Sequence, residues 1–409
     1  MADPMMTRRS SGLSVLCIGG AGSMGRHAAR SLFQADFTNR IVVAGLDDPA
    51  ARRFTASIGP KAEFQHLDIN DRQSLHDQML KADIVVNTAG PFFRLGRLVA
   101  DAALATRRDY LDICDDVEPT VALLDRDQEA RSAGICMITG MGLSPGILNL
   151  LGKKAIEGLD TAHSLDTIWD LSATATVDDG FAGDVGATAV NAALVHWMHV
   201  CSGQTKVMID GEWISVRPVE PATIPLGGGV EVTGWSVTHP EAVTLPRTFT
   251  SLRQSRNFMT GRTAIFELLQ AMRDQVDAGQ IDCQTAARIL GDDHGLAASM
   301  TVAEEKEYRL QRKTSRPYLA AVAQGTKNDA PARSVVRLNA LPPGGMGANT
   351  GLPVAIVAEM LATGLVAGEG AFTPEAIVDG AEFFRRLEPY CDKPADGRPL
   401  VETLIEPIA

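Results

Sequence analysis

The sequence predicts an α/β protein: a doubly wound parallel sheet first, then an α+β unit with a mostly antiparallel sheet. Three observations point there. Short apolar runs alternate with helix-patterned stretches over the first ~140 residues. A run of small residues, GGAGSMG at 19–25, joins the first apolar run to the first helix pattern. From about residue 145 the runs lengthen and grow rich in Thr, Val and Trp, as in half-buried antiparallel strands.

In chain order, strands are expected at 14–19, 40–45, 62–67, 82–90, 109–113 and 135–140. The intervening stretches at 26–34, 49–58, 71–81, 96–107 and 119–134 place apolar residues near i, i+3 and i+4. Pro145 suits the first turn of a further helix. Strand-like runs follow at 167–177, 205–211, 212–219, 230–239, 299–310 and 332–341, with a hairpin turn at DGEW, 210–213. A helix at 263–279 packs among them, and helices at 351–368 and 373–390 close the chain. The domain boundaries expected are 1–144, 145–345 and 346–409.

The chain has 409 residues, 45% apolar and 22% charged, enough for a sizeable core. Its net charge of -12, with no basic block, argues against nucleic acid as a partner. Six cysteines without a CxxC pair fit a reduced, cytoplasmic protein. The leading MADPMMTRRSSG has no apolar core before the first strand and reads as a disordered tail. The apolar stretch 352–368 carries Glu359 and is expected to be a buried helix, not a membrane span. His196 and His199 share a helix face, but no carboxylate or thiol set accompanies them, so no metal site is expected.

Gly20-Ala21-Gly22-Ser23-Met24-Gly25 is a GxGxxG placed between a strand and a helix start. The first glycine allows a tight turn, the second lets backbone approach a pyrophosphate, and the third lets helix and strand pack closely. The helix N-terminus then offers amides and a positive dipole end to phosphate. With five further strand–helix alternations behind it, the first domain is of the Rossmann type, and its cofactor is NAD or NADP. An acid about 20 residues past the loop would bind an NAD ribose. Asp47 stands there, though Asp47-Asp48-Pro49 also suits a helix cap, and Gly45 with Arg52 or Arg53 would tolerate NADP. Asp68, past the third strand, completes the cofactor set with Asn87, Thr88, Ala89, Gly90 and Pro91 at the end of the fourth strand. Arg94 is a candidate for phosphate or a substrate carboxylate.

Several segments together resemble the saccharopine dehydrogenase-like oxidoreductases: CIGGAGSMGR, VVNTAGPFFRLG, RRDYLDICDD, GICMITGMGLSPGILNLL, THPEAVTLPR and TGLPVAIVAEMLATG with FTPEAIVDGAEFF. The resemblance implies an inserted α+β domain that serves substrate binding and dimerisation, with C-terminal helices rejoining the Rossmann domain. It implies hydride transfer between a nicotinamide and a carbon bound to nitrogen, on an amine or imine derived from an amino acid or polyamine, by a homodimer. Oxidative deamination and reductive condensation both remain open. GLSPG departs from the GLDPG of saccharopine reductases, which puts saccharopine itself in doubt. The alternatives are a non-catalytic NAD(P)-binding homodimer for sensing or scaffolding, and a C=C or C=O reductase on the same fold.

Such chemistry needs a proton relay. Asp112, at the end of the fifth strand, and His239, in His-Pro-Glu, are the candidate catalytic groups. Asp115 and Asp116 also suit the cap of the next helix. In the 140–146 loop, which the resemblance places beside the nicotinamide, Gly142, Ser144 and the nearby Asn149 are substrate candidates, although a bare turn explains the glycines equally. Arg247 is a candidate for a substrate carboxylate, and Trp169, Trp213 and Trp235 read as core or cleft wall.

Overall fold

Val15, Leu16, Cys17 and Ile18 are each 2% exposed or less, the environment of a parallel strand covered on both faces. In the computed structural model, which describes residues 12–46, 48–171, 192–291, 317–394 and 397–408, they lie in β1 (Leu13–Ile18). The chain continues through α1 (Gly25–Gln34), β2 (Thr38–Gly45), α2 (Pro49–Ile58), β3 (Ala62–His66), α3 (Arg72–Met79) and β4 (Ile84–Asn87). Then come α4 (Phe92–Thr106), β5 (Asp109–Asp112), α5 (Val117–Leu124), α6 (Asp127–Ala133), β6 (Cys136–Ile138) and α7 (Ile147–Glu157).

The second half runs β7 (Thr161–Asp170), α8 (Ala192–Val200), β8 (Thr205–Ile209), β9 (Glu212–Val216), β10 (Pro221–Gly227) and β11 (Val230–Ser236). It proceeds through α9 (Glu241–Thr248), β12 (Gln254–Thr260), α10 (Thr263–Asp277), α11 (Cys283–Gly291), β13 (Leu319–Lys327) and β14 (Ala330–Leu338). The chain closes with α12 (Gly345–Ala362), β15 (Gly370–Phe372), α13 (Pro374–Ile377), α14 (Gly380–Leu387) and β16 (Val401–Pro407). No described helix is long and apolar enough to cross a membrane.

Described residues up to Leu150 and from Pro342 to Cys391 form one packing unit; those from Leu151 to Leu341 and from Asp392 onward form another. The division falls inside α7. The first unit holds a seven-stranded sheet in the order β15-β6-β5-β4-β1-β2-β3, and every neighbouring pair is parallel. Six of its strands have the doubly wound order, which puts the topological switch point between β1 and β4. The seventh, β15, comes from the C-terminal part of the chain and extends the β6 edge.

The second unit holds a nine-stranded sheet, β10-β11-β12-β7-β13-β14-β16, with β8 and β9 attached at β12. Only β12 and β7 run parallel among its paired strands. The sheet curls on itself. The Arg337 side chain on β14 donates to the Leu226 and Gly227 carbonyls at the β10–β11 turn, and the Gly228 amide donates to Glu406 on β16 at 2.9 Å. Ile168, Ile224, Phe258, Val322 and Val335 pack inside that curl.

The strand expectations for the first unit hold to within a few residues. The helix expected from Pro145 begins at Ile147, and the one expected over 119–134 breaks after Leu124. The runs at 172–177 and 299–310 lie outside the described residues. The terminal part is not all helical, because β15 and β16 each join a sheet.

On the second unit, Trp235 of β11 stacks flat on Phe266 of α10, with ring centroids 3.9 Å apart and planes within 4°. Phe266 is fully buried. Truncating it removes both the buried area and the stack, so Phe266→Ala should cost about 4 kcal/mol of stability, read from the urea midpoint.

Candidate functional site

The nucleotide loop is built by contacts that leave no room for side chains. Thr88, just past β4, donates both its amide (2.9 Å) and its hydroxyl (3.0 Å) to the carbonyl of Ile18 at the end of β1. Gly19 has φ +72, and a Cβ on it would stand 2.8 Å from the Ala89 nitrogen. A Cβ on Gly20 would meet the Cys17 carbonyl at 2.8 Å, and one on Gly25 would overlap the Gly19 oxygen and lie 2.5 Å from the Thr88 hydroxyl. Gly22 differs: its missing Cβ would meet only the Gly19 oxygen, at 3.1 Å, and the space beyond is open. Bare backbone with open space outside it is what a pyrophosphate requires. Ala21 is half-buried and Ser23 exposed, so the loop's outer edge faces outward. Met24 occupies the N-cap of α1, with no side-chain cap and no acid in the first turn. The amides there suit an anion.

The neighbouring turn is held by its own polar groups. Asn87 is buried; its Nδ2 donates to the Tyr110 hydroxyl at 3.1 Å and its Oδ1 accepts from the Ala89 amide at 3.1 Å. A cis Gly90–Pro91 bond follows, and Pro91 is the N-cap of α4. The Phe93 amide donates to Asp116 at 2.8 Å, so the residue at the N-cap of α5 supplies its carboxylate to α4 instead. Arg94 is exposed on the first turn of α4.

At the end of β2, Gly45 has nothing within 4 Å of a built Cβ. Asp48 caps α2, accepting from the Ala50 amide at 2.7 Å. Asp47 lies outside the described residues. Asp68 accepts from both the amide and the side chain of Asn70 at 2.9 Å, and these bonds hold its carboxyl below the usual range.

Asp112 holds neighbouring backbone in place. It is 2% exposed. Its Oδ1 accepts from the Cys114 amide (3.0 Å), the Thr139 hydroxyl (2.9 Å) and the Gly140 amide (2.8 Å). Burial pushes its carboxyl up against these bonds. One carboxylate oxygen thus ties the end of β5 to the chain leaving β6, beside a cavity of about 130 Å³ whose lining includes Ala100, Leu123 and Met137. Asn149 is likewise engaged at both ends, accepting from the Gly146 amide at 2.9 Å and donating to the buried Glu375 at 2.8 Å. Gly142 turns its missing Cβ toward the Thr350 methyl at 2.9 Å, and Gly146, at φ +121, has no room beside Gly142. Packing therefore accounts for these glycines. Ser144 is half-buried in the same turn, before a cis bond to Pro145.

The second unit holds a separate ionisable niche. His239 follows β11 and places Nδ1 3.5 Å from Oε2 of Glu241; their side chains are 7% and 0% exposed. The rings of Trp169 and His196 stand 5.8 and 6.0 Å from that of His239. Asn257 fixes the corner: its Oδ1 accepts from the Ala242 amide at 2.8 Å, and its Nδ2 donates to the Thr167 hydroxyl at 2.5 Å. Arg247 is exposed in the last turn of α9, at the far end of the helix from His239. Glu241, two residues from a histidine already singled out, was legible only as part of the His-Pro-Glu string. Glu375 and the glycines that open α12 carried no signal.

This fold, with an open backbone at the switch point, is that of an NAD(P)-binding domain. Residues 15–138 match the family model of the saccharopine dehydrogenase NADP binding domain. The whole fold is similar to saccharopine dehydrogenase (L-Glu forming) from Saccharomyces cerevisiae, with a TM-score of 0.63 and 14% identity over 96% of this chain and 100% of that one. Residues 15–138 thus form a coenzyme domain that matches the saccharopine dehydrogenase model, with NAD(P) as cofactor, and the whole chain shares that dehydrogenase's fold. It is also similar to a trans-acting enoyl reductase of Mycobacterium leprae, 27% identical over 35% of this chain and 36% of that protein. A further match is erythronolide synthase EryA3 of Saccharopolyspora erythraea, 31% identical over 29% of this chain and 4% of that protein. The chain thus spans little more than a third of the length of the enoyl reductase it matches.

A buried carboxyl with a raised pKa binds its proton more tightly folded than unfolded. Stability from Asp112 is therefore fullest below its ordinary pKa of 3.8 and falls as pH rises through the raised folded value. Asp112→Asn keeps an acceptor oxygen and cannot ionise. It should flatten that fall in urea midpoints measured against pH, and leave coenzyme affinity unchanged.

Proposed function

We propose that the chain is an NADP(H)-dependent oxidoreductase acting on the C–N bond of an amine or imine derived from an amino acid or polyamine. The observation that supports it best is the His239–Glu241 pair: a fully buried carboxylate beside an imidazole, walled by Trp169. A protonated amine is stabilised by a carboxylate and by aromatic faces. A neutral acyl group calls for neither. Bound at the nucleotide loop, the coenzyme supplies or accepts the hydride. In oxidation, His239 takes the proton that the amine nitrogen gives up as the C–N bond becomes C=N; in reduction it returns that proton. Glu241 stabilises the imidazolium formed meanwhile. Arg247, charged and exposed, is assigned to a substrate carboxylate.

The preference for NADP over NAD follows from the open space at Gly45, the engagement of Asp48 as a helix cap, and Arg52 and Arg53 on α2. The family resemblance supports a homodimer, and the charge and cysteine pattern support a cytoplasmic protein without nucleic-acid or membrane partners. A second reading, reduction of a C=C bond, is favoured by the names of the enoyl reductase relatives, whose likeness extends over about a third of the chain.

The test is nicotinamide absorbance with purified protein, both coenzymes, and a panel of amino acids, diamines, polyamines, their imine precursors and enoyl thioesters. Turnover with an amine or imine is expected. His239→Ala should then lower kcat about 100-fold with coenzyme affinity unchanged. Turnover confined to enoyl thioesters would overturn the amine reading in favour of the second.

A further inference from the structure

Helix α12 meets the nucleotide loop through a face made of glycines. Gly347 and Gly351 are four residues apart and so lie on one side of the helix, and Gly344 is its N-cap, at φ +115. The opposing surface is the start of α1. A Cβ on Gly347 would stand 2.7 Å from the Ser23 carbonyl oxygen and 3.0 Å from the His27 ring. One on Gly351 would overlap the Met24 carbonyl oxygen and lie 3.0 Å from the His27 Cβ. One on Gly344 would come within 3.2 Å of the same His27 ring. The two helices thus approach backbone to backbone, with the His27 ring lying along the glycine face. Ser23 and Met24 are the last two residues before α1, where the phosphate-binding amides stand.

From this we infer that α12 is a positioning element of the coenzyme site, with Gly347 and Gly351 setting where the Ser23–Gly25 backbone lies. The remainder of α12 is a stiff support. Val354, Val357, Ala358, Met360 and Leu361 are all buried, so the helix cannot yield when its glycine face is filled. Any added methyl group instead displaces the loop. Amides that cradle a phosphate tolerate displacements of only about 0.5 Å. Coupling of this kind is reciprocal, so coenzyme binding tightens the seat of α12 as much as the seat tightens binding. The inference rests on the NAD(P)-binding domain alone and needs no knowledge of the substrate.

The test compares affinity for the reduced coenzyme with affinity for its adenosine half stripped of the 5′-phosphate, adenosine 2′-phosphate or adenosine, which has no group for the loop amides to hold. Gly347→Ala and Gly351→Ala should weaken coenzyme binding about tenfold or more, measured by nicotinamide fluorescence, while the adenosine half binds as before. Val357→Ala, on another side of α12, should lower the melting temperature and leave both affinities unchanged. Equal loss of both ligands, an unchanged coenzyme affinity in the folded glycine variants, or an equal coenzyme loss in Val357→Ala would overturn the assignment. If the glycine variants do not fold, hydrogen exchange on the unaltered protein decides. Coenzyme should slow exchange of the α12 amides, and no slowing would refute the linkage.

Discussion

Where β1 and β4 end, two backbones touch with nothing between them, and the coenzyme site depends on that contact. Gly19 lies against Ala89, Gly25 lies against Gly19, and Thr88 sends two hydrogen bonds to the Ile18 carbonyl. Any side chain at Gly19 or Gly25 would part the strands at the switch point and carry α1 away with them. Within the 19–25 loop, Gly22 is the glycine whose missing side chain faces open space. The other glycines are bare so that the protein can hold Gly22 where it is.

The same economy governs the buried polar groups. Asp112 and Asn149 looked like chemistry in the sequence, since each follows a strand end or loop facing the crevice of a doubly wound fold. Each also holds a loop: Asp112 to residues 27 and 28 positions onward, Asn149 to Glu375, 226 positions away. The three hydrogen bonds to Asp112 Oδ1 favour its ionised form, while burial disfavours it. Burial that raises the Asp112 pKa makes it a costly anion as well, and the hydrogen bonds offset that cost. In the proposed function, proton handling is assigned to His239, which stands beside Glu241, Trp169 and His196.

What could be read from the sequence divides along a physical line. The first-unit strands were legible because strands buried on both faces are continuous apolar runs. Strands β10 and β12 were not: Pro221 and Pro225 interrupt one, and Arg256 and Asn257 make the other look like a loop. Those two side chains are matched by Asp166 and Thr167 on the adjacent strand, a pairing visible only once the register is known. The start of α12 was hidden differently. Glycines at 344, 345 and 347 read as helix breakers, yet the helix starts there because its packing against α1 needs them.

The nucleotide loop and the His239–Glu241 niche also differ in how far sequence can report on them. A pyrophosphate has one shape, and backbone amides bind it in few ways, so the residues that permit this recur as a fixed string. That string lies within residues 15–138, the stretch that matches the family model. The second unit answers to no such shared ligand. Its sheet needs only burial and register, conditions that many sequences satisfy. Likeness of fold extends over nearly the whole chain at 14% identity, while the family-model match ends at residue 138. The chemistry that sets this protein apart from its relatives is to be sought in the part where sequence resemblance has already run out.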